Sequence, residues 1–231
     1  KSFRAMDAID ETFLAIIKSN PHLRSRVGNP DEMNSNRMGN TLEFRSAKPE
    51  SGIEESTLGN VITALNEEAV CAAALGNKGG INIVINYEAF AMKMFGGLRQ
   101  EVTFSKQQKD AGRPAKWLSV PIILTSNTWE NSKNELSHQD PSLAESMLGE
   151  TSDISRVLFV ADCNSVAVCL AKCYQTQGQI WTIVASKNPT QLFFNHQEAE
   201  KLITDGAILV NGGYLPNKAK IALIAIGSYQ L

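Results

Sequence analysis

The chain has 231 residues, of which 43% are hydrophobic and 20% are charged, and its formal net charge is -2 at pH 7. That length and apolar fraction suit one large domain, or one and a half, with a sizeable core. A charge near zero gives no general reason to expect nucleic acid or an anionic membrane as a partner. No apolar run approaches the ~20 residues that span a bilayer, and we expect no signal peptide before the first helix.

The predicted elements of the first half alternate between helical and extended patterns. Apolar residues repeat at helical spacing over 3–19, and Pro21 ends that helix. A strand at 22–27 and a turn beginning at Gly28 follow. The next elements are a helix at 60–75, a strand at 81–86, a helix at 87–99, a polar loop at 101–116 and a strand at 118–125.

The second half continues the alternation. It contains predicted helices at 141–148, 164–174 and 197–204, and predicted strands at 156–161, 179–186, 207–210 and 221–226. Short apolar strands between helices predict an α/β fold, a three-layer α/β/α sandwich with a mostly parallel sheet. Such sheets bind ligands at the carboxyl ends of their strands. We therefore expect a site built from the loops at 28–37, 87–90, 126–138, 161–164 and 186–189.

The four cysteines do not have the spacing of metal ligands. Cys169 and Cys173 are one helical turn apart on an apolar face, which is typical of buried thiols in a cytoplasmic protein. The chain begins without an initiator methionine and stops soon after an apolar run. We therefore expect a cytoplasmic protein and a piece of a longer chain.

The polar segment at 129–141 follows the apolar run at 120–124 and contains His138, one of three histidines. Amides and carboxylates lie on both sides of that imidazole. Loops that follow buried strands commonly carry the chemistry of α/β proteins. We expect this loop to face the ligand.

Four stretches carry a family resemblance. The segment at 31–37 resembles Asp-Glu-x-x-Ser-Asn-Arg, and 65–68 resembles Leu-Ser-Glu-His. The segment at 86–90 resembles Ser-Tyr-Glu-Ser-Phe, and 129–141 resembles Trp-x-x-x-His-Asn-Gly-x-x-His-Gln-Asp-Pro. In this order, the motifs make nearly the whole chain resemble the central, pyrimidine-binding domain of phosphoketolases. Phosphoketolases are thiamine-diphosphate enzymes related to transketolase.

The resemblance implies a cofactor site at three residues. Glu67 matches a glutamate that hydrogen-bonds N1′ of the aminopyrimidine, which favours the imino form that takes a proton from the thiazolium C2. Tyr87 and Phe90 match aromatic residues that pack against the same ring. Without the resemblance, Glu67 is an acid in a helical first turn behind a capping Asn66, and the aromatic pair is core packing.

The resemblance also implies substrate contacts. Asn134 and His138 match residues that touch the substrate and the reactive end of the cofactor, where an imidazole can exchange protons with a sugar hydroxyl. Arg37 and Lys187 match residues that bind the sugar phosphate. Lys133 replaces a histidine that helps to hold that phosphate, so it keeps the charge without acid–base chemistry near pH 7.

Other positions depart from the family pattern. The stretch between Glu67 and Tyr87 is shorter than in the family, and the segment at 78–80 stands near its Thr-Gly-Arg-His-Gly. A further phosphate-binding arginine is not assigned, because Arg99 and Arg113 both compete for it. Relaxed substrate choice and loss of activity both stay open.

The Gly-Asp-Gly motif that holds the diphosphate and Mg²⁺ belongs to a different domain of these enzymes, so we expect this chain to supply half of a site and to be inactive alone. We predict a pyrimidine-binding domain at 1–210, and a linker with the first strand of a further domain at 211–231. The longer protein would form a homodimer or higher oligomer. It would cleave xylulose 5-phosphate or fructose 6-phosphate with inorganic phosphate, to acetyl phosphate and an aldose phosphate. A transketolase-like aldehyde transferase and a non-catalytic paralogue are the alternatives.

Overall fold

The computed structural model describes residues 3–45, 66–126, 139–210, 221 and 223–227. Its strands are β1 (Phe3–Arg4), β2 (Arg24–Gly28), β3 (Gly80–Tyr87), β4 (Val120–Thr125), β5 (Ser155–Phe159), β6 (Ile180–Val184) and β7 (Pro189–Thr190). Its α-helices are α1 (Ala5–Ser19), α2 (Gly39–Arg45), α3 (Glu67–Gly76), α4 (Glu88–Ala91), α5 (Phe95–Asp110), α6 (Ser142–Leu148), α7 (Cys163–Tyr174) and α8 (His196–Asp205). A 3-10 turn, Met92–Met94, joins α4 to α5.

Five of the strands form one sheet in the order β2-β3-β4-β6-β5, and every neighbouring pair is parallel. The strands β1 and β7 form a separate antiparallel pair. Helices cover both faces of the large sheet, so the predicted three-layer α/β/α architecture is confirmed. Within the described ranges, none of the helices combines the length and the apolar character needed to cross a membrane.

Two cores lie on opposite faces of the sheet because successive residues of a strand point to opposite sides. Ile83 and Ile85 belong to the core under α1 and α7. Val84 belongs to the core under α3, α5 and α6. The first core contains Phe13, which is fully buried. The long apolar runs of the sequence are therefore explained by strands that are buried on both faces.

The predicted loop at 101–116 is wrong, because α5 continues to Asp110. Its buried residues are Leu98, Val102 and Ser105, one narrow stripe at helical spacing, while the polar side chains face water. The helix ends where Gly112 takes a φ of +70°, and its N–H bonds to the Lys109 carbonyl at 3.0 Å. A helix with so narrow an apolar stripe resembles a polar loop in sequence.

The helix predicted at 60–75 begins at Glu67 instead. Asn66 is extended, with φ −151°, and its side chain accepts a hydrogen bond from the Ala69 N–H at 2.7 Å. The predicted asparagine cap is thereby confirmed, and the cap fixes the start of α3. Part of the predicted range, 60–65, lies outside the described residues.

Helix α2 was not predicted, because its cap comes from another helix. The buried carboxylate of Asp10 on α1 accepts the N–H groups of Asn40 at 2.9 Å and Thr41 at 3.0 Å. These are donors that a local capping side chain would otherwise satisfy. The sequence around α2 contains no pattern that indicates a cap from a residue so far away along the chain.

The strand predicted at 207–210 is wrong, since these residues are irregular after Gly206 ends α8 with a φ of +80°. The described residues of the strand predicted at 221–226 are also irregular, and Leu223 is 97% exposed. Apolar composition favoured a strand in both places, but a strand also needs a neighbour to pair with.

The cysteines behave as their pattern predicted. All four are free thiols; Cys71, Cys169 and Cys173 are buried and Cys163 is half-buried. Burial raises the pKa of the Cys71 thiol to about 12, and the negative charge of Glu101 adds to the effect. The buried thiols therefore stay protonated in the folded protein near neutral pH.

Candidate functional site

The five parallel strands bring their carboxyl ends to the same edge of the sheet, which we call the carboxyl edge. These ends are Gly28, Tyr87, Thr125, Phe159 and Val184. The described parts of the predicted site loops follow these residues. Helix α3 leads into the start of β3, so its first turn, with Glu67, lies at the carboxyl edge as well.

Tyr87 ends β3 and is held by the loop that follows β2. Its backbone N–H donates to the Asp31 carboxylate at 3.1 Å, and its hydroxyl shares a hydrogen bond with the Ser35 hydroxyl. On the ring, the Lys187 ammonium lies 4.5 Å from the centroid, a cation–π contact. The motif at 31–37 therefore fixes the aromatic residue that the resemblance singled out.

The same loop also reaches β4. The Thr125 hydroxyl donates to the Asn36 side-chain oxygen at 2.7 Å, and both residues are fully buried. Buried polar groups that pair in this way rigidify their surroundings. Hydrogen bonds from the loop after β2 therefore connect the carboxyl ends of β2, β3 and β4.

Phe90 lies next to Tyr87, with ring centroids 6.3 Å apart and an angle of 46° between the rings. One turn further, the Lys93 ammonium lies 5.4 Å from the Phe90 centroid and 3.2 Å from Oε1 of Glu67. The Glu67 side chain is only 14% exposed. Lys187, Tyr87, Phe90, Lys93 and Glu67 thus form one continuous row of contacts.

Arg37 lies apart from this row. Its guanidinium is 4.0 Å from the Asp7 carboxylate, and it borders a polar pocket of about 320 Å³ that Asp10 and Glu11 also line. Its backbone has a φ of +59°, which is uncommon for a residue with a side chain. In this structure Arg37, the residue predicted to bind the sugar phosphate, therefore faces carboxylates.

Asn86 precedes Tyr87 on β3 and is fully buried. Within the part of the chain that the structure describes, neither its side-chain nitrogen nor its side-chain oxygen has a hydrogen-bond partner. A buried amide without partners costs about 1–3 kcal/mol. The end of β3 therefore presents one unused donor and one unused acceptor on the face that also carries Val84.

Lys133, Asn134 and His138 lie outside the described residues, so their predicted roles stay predictions. The segment that resumes at 139 returns to the carboxyl edge. There the buried Glu88 carboxylate accepts the Asp140 N–H at 3.2 Å.

No individual role was predicted for Glu88, which lies in the predicted loop at 87–90, or for Lys93. The motif at 86–90 contained the signal for Glu88, because a glutamate at the end of an apolar strand needs a buried partner. The sequence carried no comparable signal for Lys93, since its contacts depend on how α3 packs against the turn at 92–94.

Both candidates for a further phosphate-binding arginine have other surroundings. Arg99 forms an ion pair with Glu150 at 3.2 Å, and its side chain is 64% exposed. Arg113 follows the end of α5 and is exposed at the opposite edge of the sheet, near the start of β4. The shortened segment at 78–80 also lies at that opposite edge, where Lys78 pairs with Glu101. The shortening therefore leaves the carboxyl edge intact.

No metal-ligand cluster is found within the described ranges, where no three His, Cys, Asp or Glu side chains converge. The described residues could instead bind a flat, partly apolar heterocycle. Tyr87 and Phe90 offer ring surface, and Glu67 offers a carboxylate at low exposure.

Comparison with known proteins identifies relatives for most of the chain. The family model described as D-xylulose 5-phosphate/D-fructose 6-phosphate phosphoketolase matches residues 7–176. A probable phosphoketolase of Lactococcus lactis subsp. lactis is 28% identical over 215 residues, which cover 89% of this chain and 26% of that protein. A xylulose-5-phosphate phosphoketolase of Lactiplantibacillus pentosus is 26% identical over 205 residues, covering 85% and 26%. The chain therefore spans about a quarter of the length of these relatives.

Solved transketolases share the fold. A transketolase from Leishmania mexicana superposes with a TM-score of 0.65 at 15% identity, over 85% of this chain and 27% of that one. A split gene transketolase, described as an inactive beta4 tetramer, gives a TM-score of 0.57 at 15% identity, over 85% and 55%. The fold and the family match agree, and the chain belongs to the D-xylulose 5-phosphate/D-fructose 6-phosphate phosphoketolase family.

Proposed function

We propose that this chain is the domain of a phosphoketolase that binds the aminopyrimidine ring of thiamine diphosphate. The observation that carries the proposal is the row of contacts in which a glutamate and an aromatic pair meet at the carboxyl edge of a family member. Glu67 and Phe90 both contact Lys93, and Phe90 lies against Tyr87. Two groups far apart in sequence are thus neighbours where such sheets bind ligands.

The residues fit the ring half of that cofactor. A carboxyl group at 14% exposure can share a proton with a ring nitrogen, and the tilted aromatic pair can pack on a flat ring. Asn86 adds a buried amide whose donor and acceptor are both unused. Amides of this kind pair well with an edge that presents an amino group beside a ring nitrogen.

Thiamine diphosphate, when bound, would supply the carbanion chemistry, and the protein would position it and control protons. Glu67 would hold a proton opposite N1′. Asn134 would bind a substrate hydroxyl, and His138 would exchange a proton with one. The cations Arg37, Lys187 and Lys133 would hold the sugar phosphate.

A second domain would hold the diphosphate and Mg²⁺, as the resemblance to phosphoketolases implies. The chain spans about a quarter of the length of its curated relatives, and a split transketolase of similar fold is described as inactive. Both observations support a domain at 1–210 that is inactive alone. We expect the full-length protein to form a dimer or higher oligomer in the cytoplasm. The highly exposed Leu223 and Ile224 agree with a further domain that starts within 211–231.

The test uses the full-length protein with Mg²⁺, thiamine diphosphate, and xylulose 5-phosphate or fructose 6-phosphate, assayed for acetyl phosphate with and without inorganic phosphate. We expect acetyl phosphate and an aldose phosphate only when inorganic phosphate is present. Turnover without a phosphate requirement, with transfer to an aldose acceptor, would assign a transketolase-like transferase instead. The absence of any turnover, together with no binding of thiamine diphosphate, would assign a non-catalytic paralogue.

A further inference from the structure

Lys93 contacts two of the three residues proposed to bind the cofactor ring. Its ammonium lies 3.2 Å from Oε1 of Glu67 and 5.4 Å from the centroid of Phe90. We infer that Lys93 is a positioning residue that binds Glu67 in competition with the cofactor ring, so that it must leave the carboxylate when the ring binds. This inference rests on the proposed function, since it concerns the same site.

The geometry makes the lysine and the ring competitors. A ring that hydrogen-bonds to Glu67 and packs on Phe90 needs the space between those two side chains. The Lys93 ammonium contacts both of them, so we expect it to compete with the ring for that space. The two occupants also bind the same carboxylate, so the site cannot hold both in this arrangement.

Exposure decides which partner moves. The Lys93 side chain is 60% exposed, whereas that of Glu67 is 14% exposed. The turn that carries the lysine is itself anchored, since the neighbouring Met94 is buried at 1% exposure. The ammonium can therefore swing into water on its flexible stem while the backbone and the glutamate stay in place.

The expected effect on affinity is modest. Ion pairs with one exposed partner add little stability, so releasing Lys93 should weaken cofactor binding by about 1.5- to 5-fold. Salt screens such a pair, and the effect should shrink as ionic strength rises. No other basic residue has a contact with Glu67 among the described residues, so Lys93 is the cation to remove.

The test measures the dissociation constant of thiamine diphosphate by calorimetry in the full-length protein, with saturating Mg²⁺. Lys93→Met should bind the cofactor about 1.5- to 5-fold more tightly than wild type at low salt, with the gain reduced at high salt. Lys93→Arg keeps the charge and should bind like wild type. The control is Lys109→Met, which removes another partly exposed lysine, paired with Asp153 at 2.7 Å, and should leave the constant unchanged.

Equal or weaker binding by Lys93→Met would overturn the inference, and so would an Lys93→Arg protein that binds as tightly as Lys93→Met. Thermal unfolding of each variant shows whether a loss of binding comes from a damaged fold. Such damage would assign Lys93 a structural role and would also overturn the inference. Failure of the wild type to bind thiamine diphosphate would instead overturn the proposed function, together with this inference.

Discussion

At the scale of single residues, Asn86 and Asn82 make an informative pair. Both are buried on the same face of β3. Asn82 accepts a hydrogen bond from the Asn77 side chain at 2.8 Å and donates to the Asn77 carbonyl at 3.1 Å. The side chain of Asn86 has no hydrogen-bond partner among the described residues. One asparagine thus supports the fold, while the other lowers its stability at the proposed site.

We predict that Asn86→Leu raises the free energy of unfolding by about 1–3 kcal/mol, because it removes an unpaired buried amide beside the apolar Val84 and Leu124. The same change at Asn82 should lower it by about 1–3 kcal/mol, since partners at Asn77 would be left unsatisfied. Urea unfolding of both variants measures the difference. Destabilisation by Asn86→Leu would mean that its amide is satisfied in the folded protein.

The buried thiols predict how stability depends on pH. Burial raises the pKa of Cys71 to about 12 and that of Cys173 well above its ordinary value. Above the ordinary thiol pKa the unfolded chain releases protons that the folded protein keeps. The stability that these thiols contribute to the fold is therefore complete below the ordinary pKa and is lost as pH rises towards the raised pKa.

We predict that the free energy of unfolding falls with pH above the ordinary thiol pKa, by about 1.4 kcal/mol per pH unit for each buried thiol. Urea unfolding on either side of that pKa measures the slope. Cys71→Ala should lower the slope by about that amount. A slope that does not change in this variant would show that Cys71 titrates normally in the folded protein.

At the scale of elements, α7 and the segment before α8 depend on one carboxylate. Asp162 is fully buried, and its side chain accepts the N–H groups of Ser165 at 2.8 Å, Phe193 at 2.8 Å and Phe194 at 3.0 Å. The residue therefore caps a helix and fixes a loop distant in sequence. Phe194 in turn packs in the small core that includes Ala199 of α8.

We predict that Asp162→Ala lowers the free energy of unfolding by about 2–4 kcal/mol, because it removes a helix cap and leaves two further N–H groups buried without an acceptor. Asp205→Ala is the matched control, since this exposed carboxylate ends α8 and should change stability by less than about 0.5 kcal/mol. Chemical unfolding compares the two variants. A small loss in Asp162→Ala would show that water replaces the carboxylate.

The elements that could be predicted from sequence are those whose signal is local. The predicted strands include all five strands of the main sheet, four of which lie in apolar runs, and Asn66 marked the start of α3. Helix α2 was not predictable, because Asp10 on another helix caps it. The same reason applies at the site, where Glu88 and Lys93 gain their roles from contacts between elements.

At the scale of the whole molecule, the parallel strands bring motifs that are far apart in sequence to the same edge of the sheet. The ends of β2, β3 and β4 are joined by the loop at 28–37, and Glu67 reaches the same edge from the start of α3. The general position of the site was therefore predictable from the alternation of strands and helices, which indicates a parallel sheet. Roles within it depended on family resemblance, because nothing local distinguishes a cofactor-binding glutamate from one that begins a helix.

The family match is the reason to expect that this edge binds a cofactor ring. The matched region, 7–176, contains the described site residues except Lys187, which lies on the ring of Tyr87. The chain spans about a quarter of the length of its relatives, and our proposal places the rest of the site on other domains. In that composite site, we propose that Glu67 is the group that shares a proton with the cofactor ring.

The most direct measurement compares acetyl phosphate formation by the full-length wild type, Glu67→Gln and Glu68→Gln, all with saturating thiamine diphosphate, Mg²⁺, substrate and inorganic phosphate. Glu68 is the matched control, because it lies in the same helical turn but is exposed. We predict that Glu67→Gln lowers turnover roughly 100-fold or more and that Glu68→Gln leaves it nearly unchanged. An unchanged rate in Glu67→Gln would contradict the account.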